Sequence, residues 1–235
     1  MTHPDPAQIF DLWEALPSLH PVDQALSMLA AAMPETSFED LAELSIGARD
    51  RRLFELYAAL FGPSLHGFEY CPACHLPVEY SLTVDSVFAM AESAGEAPGS
   101  LSRDVIRLPN SHDLAAIASC ESVDSAREIL VLRCCHGVER ATGADTLDLS
   151  QALAGAIVAA DPFADLTIEL SCPACQGTWQ RTLDPLPFLE QGLFRLAREQ
   201  LYEVHTLALS YGWSESAILS MPTERRRLYV RMLEG

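Results

Sequence analysis

Lysine is absent from this chain: its fifteen basic residues are all arginine, set against 33 carboxylates for a formal net charge of −18. So negative a protein repels phosphate over most of its surface, which argues against nucleic acid as a partner. The missing lysine itself reflects GC-rich coding more than chemistry. No apolar run approaches the roughly 20 residues that a membrane helix requires, and the N-terminus has neither a basic region nor an apolar signal segment. A glycine-rich phosphate loop, a nucleophile elbow and a His-Glu metalloprotease motif are also missing. Paired carboxylates are too abundant for any one pair to be singled out. The expectation is a cytoplasmic protein with no membrane insertion, in a reducing compartment where an odd number of cysteines, seven, does not form a disulfide scaffold. With 235 residues, 49% of them hydrophobic, the chain is long enough to bury a core in one or two domains.

What is present is a duplicated tetrapeptide. Cys71-Pro72-Ala73-Cys74 returns as Cys172-Pro173-Ala174-Cys175, with 97 residues between the two copies. Val78, Tyr80 and Leu82 follow the first pair at the offsets where Trp179, Arg181 and Leu183 follow the second. Each pair thus reads as a knuckle leading into a strand. A two-residue bridge lets both sulfurs face one ion while the backbone turns tightly, and proline after the first cysteine stiffens the turn. Cys71, Cys74, Cys172 and Cys175 together fit one tetrahedral structural zinc site, a zinc ribbon split by a long insertion. Two other readings stay open: reduced, metal-free thiols, and a redox dithiol. Against the dithiol, Pro77 and the alternating Val78-Glu79-Tyr80-Ser81-Leu82 favour a strand where an oxidoreductase motif opens a helix.

Other candidate ligands carry less. His75 adjoins Cys74, but four cysteines already complete a coordination sphere. Cys134-Cys135-His136 are adjacent and ill placed to chelate one ion together; Cys120 reads as a buried small hydrophobe, and His205 as a packed or partner-facing residue within a helix. Arg225-Arg226-Arg227 with Arg231 is the one basic cluster, read as a solvated helix face.

The architecture expected is α+β, mainly helical with a small antiparallel split zinc ribbon at the centre. Residues 1–62 form an acidic helical N-terminal region, 63–186 the split ribbon with a mixed α/β insertion at about 85–165, and 187–235 a helical C-terminal region. A polar, proline-punctuated arm runs to about Leu19, followed by a helix from Pro21 to before Pro34. Thr36 and Glu39 suggest a capping box for a short helix to about Leu44, and a further helix runs from about Ala48 to Phe61. The first strand pair spans roughly Phe68 to Val84, and residues 91–103 read as a flexible loop. Val105 to Leu108 suggest a strand, Asn110 with Asp113 a helix cap, and Val123 to Cys134 a helix; Asp148 with Gln151 suggest the cap of a small-residue helix. Leu166, Ile168 and Leu170 alternate as a strand does. Leucines and small residues at helical spacing then predict one long amphipathic helix over 187–211, stopped by Gly212. Ser214 and Thr223 suggest the starts of two more helices, and Tyr211 and Trp213, at the elbow, are candidate partner-binding residues.

The order of His20-Pro21-Val22-Asp23, the first knuckle, Ile106-Arg107-Leu108-Pro109-Asn110-Ser111-His112-Asp113-Leu114, Asp161-Pro162-Phe163-Ala164-Asp165-Leu166 and the second knuckle is distinctive. So is the ending Glu203-Val204-His205, Tyr211-Gly212-Trp213-Ser214-Glu215 and Arg225-Arg226-Arg227-Leu228-Tyr229. Together these resemble the baseplate protein family of contractile-tail gene clusters in bacteria and phages, which is similar more distantly to the hub assembly chaperones of contractile-tailed phages. The resemblance implies a non-catalytic, bacterial protein that assembles the baseplate or stays in the finished particle, with hub or wedge proteins as partners. It also implies a metal that supports structure, since distant members of the family vary in keeping the cysteines. The alternatives from the residues alone are a thiol-disulfide redox enzyme using Cys-Pro-Ala-Cys and a zinc-ribbon nucleic-acid-binding protein.

Overall fold

The computed structural model describes residues 6–94, 106–136 and 144–234. Helices dominate. Helix α1 (Pro6–Ala15) runs into a 3-10 turn, Leu16–Ser18, and α2 (Pro21–Ala32) follows with Pro21 at its first position. The His20 ring caps α2 by accepting from the Val22 N–H at 3.3 Å. Helix α3 (Phe38–Ala42) and helix α4 (Ile46–Phe61) are capped by the hydroxyls of Ser37 and Ser45. Gly62, at φ 88°, ends α4 in a conformation that side chains disfavour.

Strands β1 (Ser64–Tyr70) and β2 (Pro77–Thr83) form one antiparallel hairpin, and β3 (Thr167–Ser171) and β4 (Thr178–Thr182) form a second. Each is its own two-stranded sheet. Between them lie α5 (Val84–Ala94), α6 (Ser111–Ile117), α7 (Val123–Cys134) and α8 (Ala144–Ala160). The C-terminal part holds α9 (Leu186–Tyr211), α10 (Glu215–Leu219) and α11 (Thr223–Glu234).

Several expectations change. The N-terminal arm is helical within the described residues: Ile9 and Phe10 of α1 are buried, and α1 packs on α9. The prolines obscured this, although Pro6 stands at the start of the helix, where its missing N–H costs nothing. Ser37, not Thr36, caps α3, with Asp40 on the third helical position. Residues 91–94 extend α5, and the rest of the expected loop lies outside the described residues. Among the described residues of 105–108 there is no strand. Ile106 instead makes a single bridge to Cys135, while Arg107 N–H donates to the Cys134 carbonyl. Helix α8 begins at Ala144, ahead of the expected cap at Asp148. By contrast, α7, α9 and the Gly212 stop agree with their sequence signals, Gly212 sitting in the left-handed region at φ 69°.

One large core gathers α1, α2, α4, both hairpins and the first half of α9, through side chains such as Leu29, Phe54, Leu65, Leu170, Leu189 and Leu193. Close approach needs glycine in two places. A Cβ on Gly192 would stand 2.4 Å from the Phe61 ring, and one on Gly47 would stand 2.0 Å from Asp161 Oδ1. A small second core joins Ile106, Val131, Cys134, Leu153 and Ala156 in the insertion, and another joins Leu207, Ile218 and Val230 at the C-terminus.

Candidate metal centre

Both knuckles are turns closing a β-hairpin, and the two are built alike. Tyr70 pairs with Pro77 across the first, and Ser171 with Thr178 across the second, 101 positions later in each case. The Cys71 N–H donates to the Leu76 carbonyl at 2.9 Å, and the Cys172 N–H donates to the Gly177 carbonyl at 2.9 Å. The turns close through His75 N–H to the Cys71 carbonyl at 2.9 Å and Gln176 N–H to the Cys172 carbonyl at 3.0 Å. His75 and Gln176 hold left-handed backbone at φ 57° and 61°, a local cost accepted at the same place in both copies. His75 is therefore a turn residue, and the cluster contains cysteines alone.

The four sulfurs, 98 or more residues apart in the chain across the two hairpins, come within 4.8 Å of one another. Cys71 Sγ lies 3.6 Å from Cys175 Sγ, and Cys74 Sγ lies 3.5 Å from Cys172 Sγ. A disulfide requires about 2.05 Å, and all four cysteines are free thiols. The spacing matches a different object. Four thiolates around a tetrahedral ion at the usual 2.3 Å bond length stand about 3.8 Å apart along each edge. Cys71 and Cys172 are buried against Val78 and Trp179, while Cys74 and Cys175 are exposed. An ion held here would have an apolar wall on one side and water on the other. Arg181 of β4 reaches Glu69 of β1 at 2.7 Å, a second tie between the hairpins.

Electrostatics within the cluster are divided. Backbone N–H groups of Cys74 and Ala73 lower the Cys71 thiol, and those of Cys175 and Ala174 bring Cys172 down to about 7. For Cys74 the Leu76 N–H favours the thiolate, but the Cys172 sulfur and burial outweigh it and push the thiol up to about 12. Cys175 is raised in the same way, against the Gly177 N–H, by the sulfurs of Cys71 and Cys172. Four thiolates this close repel one another, so the set cannot ionise fully without a cation; a bound divalent ion removes the conflict and deprotonates coordinating thiols outright. An all-sulfur tetrahedral donor set suits zinc or iron rather than a hard cation. The residues fit a metal ion, and all four positions would come from protein.

The remaining sequence candidates separate from this centre. Cys134 and Cys135 are buried in the core of the insertion, where burial pushes the Cys134 thiol up to about 11. Cys120 is half-buried and His205 is exposed. Tyr211 and Trp213 stack at 4.6 Å with planes 16° apart, and Tyr229 meets both edge-on. Trp213 also packs on the C-terminal core, whereas Tyr211 stays exposed. Arg226 departs from the expected solvated face. It is fully buried, donating from Nε to Glu203 at 2.9 Å and from Nη1 to the Met221 carbonyl at 2.8 Å.

Two positioning contacts escaped the sequence reading. Asp161 accepts from the Gly47 N–H at 2.8 Å, fixing the turn that leads into β3 against α4. Asp113, fully buried, accepts from Arg107 at 2.7 and 2.9 Å, from Arg133 at 2.7 Å and from the Asn110 N–H at 2.9 Å. Burial alone would raise this carboxyl, but Arg107, the Asn110 amide and Arg133 together hold it well below the usual carboxylate range. Asp113 thereby locks α6 to α7, and the Pro109 carbonyl, accepting from Ile46 N–H at 3.0 Å, ties that unit to α4. The Asn-x-x-Asp capping signal was legible; the two arginines converging on the same carboxylate were not.

Comparisons with protein-family models, with curated proteins and with solved structures found no match to this chain.

Proposed function

We propose that this protein is a non-catalytic assembly chaperone or structural component of the baseplate of a phage-like contractile injection system. It holds hub or wedge subunits through protein contacts, and one structural zinc ion braces its hairpins. The motif order given above supplies the family reading. One structural observation supports the binding role: among the described residues, eight of the fourteen exposed large hydrophobic side chains lie on α9 and α11, including Tyr202, Leu209, Tyr211, Leu228 and Met232. Exposed apolar surface concentrated on one part of a chain is a mark of an interaction face. Tyr211 belongs to it, with the partly buried Trp213 stacked against it at the elbow.

Zinc is the metal chosen because four protein thiolates close its coordination sphere and leave no position for substrate, which is the structural type of site. The dithiol reading is less favoured: both knuckles are strand-to-strand turns, and the short sulfur pairs run between hairpins rather than within a Cys-x-x-Cys. Co-expression with the hub and wedge proteins encoded beside sheath, tube and spike genes tests the role. A stable complex on size-exclusion chromatography, weakened by Leu209→Asp or Tyr211→Asp, is the expected result. Gene neighbours without a sheath or tube, together with no co-purifying hub or wedge subunit, would overturn it.

A further inference from the structure

A groove of about 570 Å³ runs between α9 and α11. Arg195 and Arg198 enter it from α9, and Arg227 and Arg231 from α11. Glu199 and Glu203 also line it, so the lining carries four positive and two negative charges in a chain whose net charge is −18. Glu203 is already neutralised, bound by Arg226 at 2.9 Å and by Arg227 at 3.5 Å. Among the described residues, Arg195, Arg198 and Arg231 pair with no carboxylate. In a chain with more than two acids for every base, three unpaired arginines converging on one groove run against the general charge balance.

The geometry also prepares these groups. Arg195 lies 5.7 Å from the Phe61 ring centroid and Arg198 lies 5.8 Å from that of Phe194, so the aromatic faces steady both guanidinium planes while leaving their N–H edges free. Phe194 and Tyr202, about half exposed, add apolar contact to the same groove. From Phe194 to Tyr202 is two turns of helix, about 12 Å. That length suits a short peptide segment.

We infer that this groove binds an acidic segment of a partner polypeptide, with carboxylates on the Arg195, Arg198 and Arg231 guanidinium groups and a bulky apolar side chain against Phe194 and Tyr202. Bidentate arginine–carboxylate pairing supplies the recognition. A nucleic acid would meet repulsion from the surrounding negative surface, whereas a short peptide touches the groove alone. The inference concerns the chemistry of one groove and is independent of the contractile-machine reading.

The test measures fluorescence anisotropy of a labelled Glu-rich helical peptide bearing Leu and Phe one turn apart, added to the full-length protein. Controls are the same peptide with every Glu changed to Gln, the same with Lys, oligothymidylate and inorganic triphosphate. The Glu peptide should bind about tenfold or more tightly than its Gln counterpart, with affinity falling as salt rises. The double variant Arg198→Ala/Arg231→Ala, at two exposed positions, should lose about tenfold, and Arg198→Glu/Arg231→Glu should prefer the Lys peptide. Equal binding of Glu and Gln peptides, or an unchanged double variant, would overturn the inference. So would stronger binding of oligothymidylate or triphosphate, or a wild-type dimer by light scattering that the double variant abolishes, since the occupant would then be a phosphate or a second copy.

Discussion

Loss of one buried thiolate, Cys172→Ala, is the sharpest perturbation of the metal centre. Isolated zinc-finger peptides draw about 10 to 16 kcal/mol from their metal because nothing else folds them. Here the hairpins are anchored independently: Leu65 of β1 and Ile168 and Leu170 of β3 are buried in the main core. What a bound ion would add is the clamp between the two turns, otherwise joined by the partly exposed Arg181–Glu69 pair and the packing of Val78 and Trp179. The gain is therefore set by mass action, about 4 kcal/mol when free metal is a thousandfold above its dissociation constant. For a chain of this size that is a Tm difference of about 8 to 16 °C. Elemental analysis should find one zinc per chain in the wild type and in a Cys120→Ala control, and much less in Cys172→Ala. Thermal unfolding with and without a chelator should show the difference in the first two proteins and little in the third. A metal-free wild type whose Tm ignores the chelator, or a reducible Cys172–Cys175 bond in protein purified without reductant, would refute the reasoning.

Three further outcomes follow from the charged and close-packed sites. Asp113→Asn should cost about 3 kcal/mol at pH 7, the low end for a broken buried pair because Arg107 and Arg133 still reach water. Because the native carboxyl is depressed, its stabilisation is complete above the unfolded value of about 4 and is lost progressively as pH falls from there through the depressed native value; in urea unfolding the gap between the two proteins should therefore begin to narrow below about pH 4, and a gap that stays constant as the pH is lowered further would contradict the assignment. Arg226→Met should destabilise the C-terminal helices by about 3 kcal/mol or more, since it leaves Glu203 buried without its closest partner. The adjacent, exposed Arg227→Met should cost under about 1 kcal/mol, and equal losses from the two in chemical denaturation would argue against a buried Arg226. Gly47→Ala should cost about 1 to 3 kcal/mol by overpacking, because the new methyl meets the Asp161 carboxylate and the Ala164 backbone; an unchanged Tm would show that this turn does not hold α4 as described.

What could be read from the residues follows the range of the interactions involved. Helix α9 is a local property, a long apolar stripe closed by Gly212, and its extent differs from expectation by one residue. The cysteine cluster was legible although it joins distant segments, because the duplicated Cys-Pro-Ala-Cys carries its own chemistry into both copies. Helix α1 was hidden by its prolines and because its apolar residues pack chiefly against α9, a partner some 180 positions away. Arg226 illustrates the same limit: three consecutive arginines look alike, and only the fold, by placing Glu203 of α9 beneath α11, selects the middle one for burial. Asp161 and Gly47, 114 positions apart, had no shared signal at all.

The distribution of stability along α9 relates the cysteine cluster to the proposed binding role. Its first half supplies Phe188, Leu189, Leu193 and Ala197 to the main core, alongside the hairpins that the cysteines join. Its last turns supply Leu207 to a separate small core with Ile218 and Val230, around which much of the exposed apolar surface lies. A helix of 26 residues, about 39 Å long, therefore carries a sparsely packed C-terminal unit away from a well-packed, cross-braced body. Leu219 of α10 reaches back to the body, and Arg226 stitches the unit internally, bonding Glu203, Met221 and Thr223 at once. Small cores gain little from burial alone, so ordering of this unit depends on such polar ties and on whatever covers its apolar faces. A partner docking on α9 and α11 would stabilise that unit most, while the cysteine clamp stabilises the body. The two perturbations are then separable: removal of a bound metal should lower the unfolding temperature of the body, and loss of a partner contact should leave that temperature in place while loosening α10 and α11.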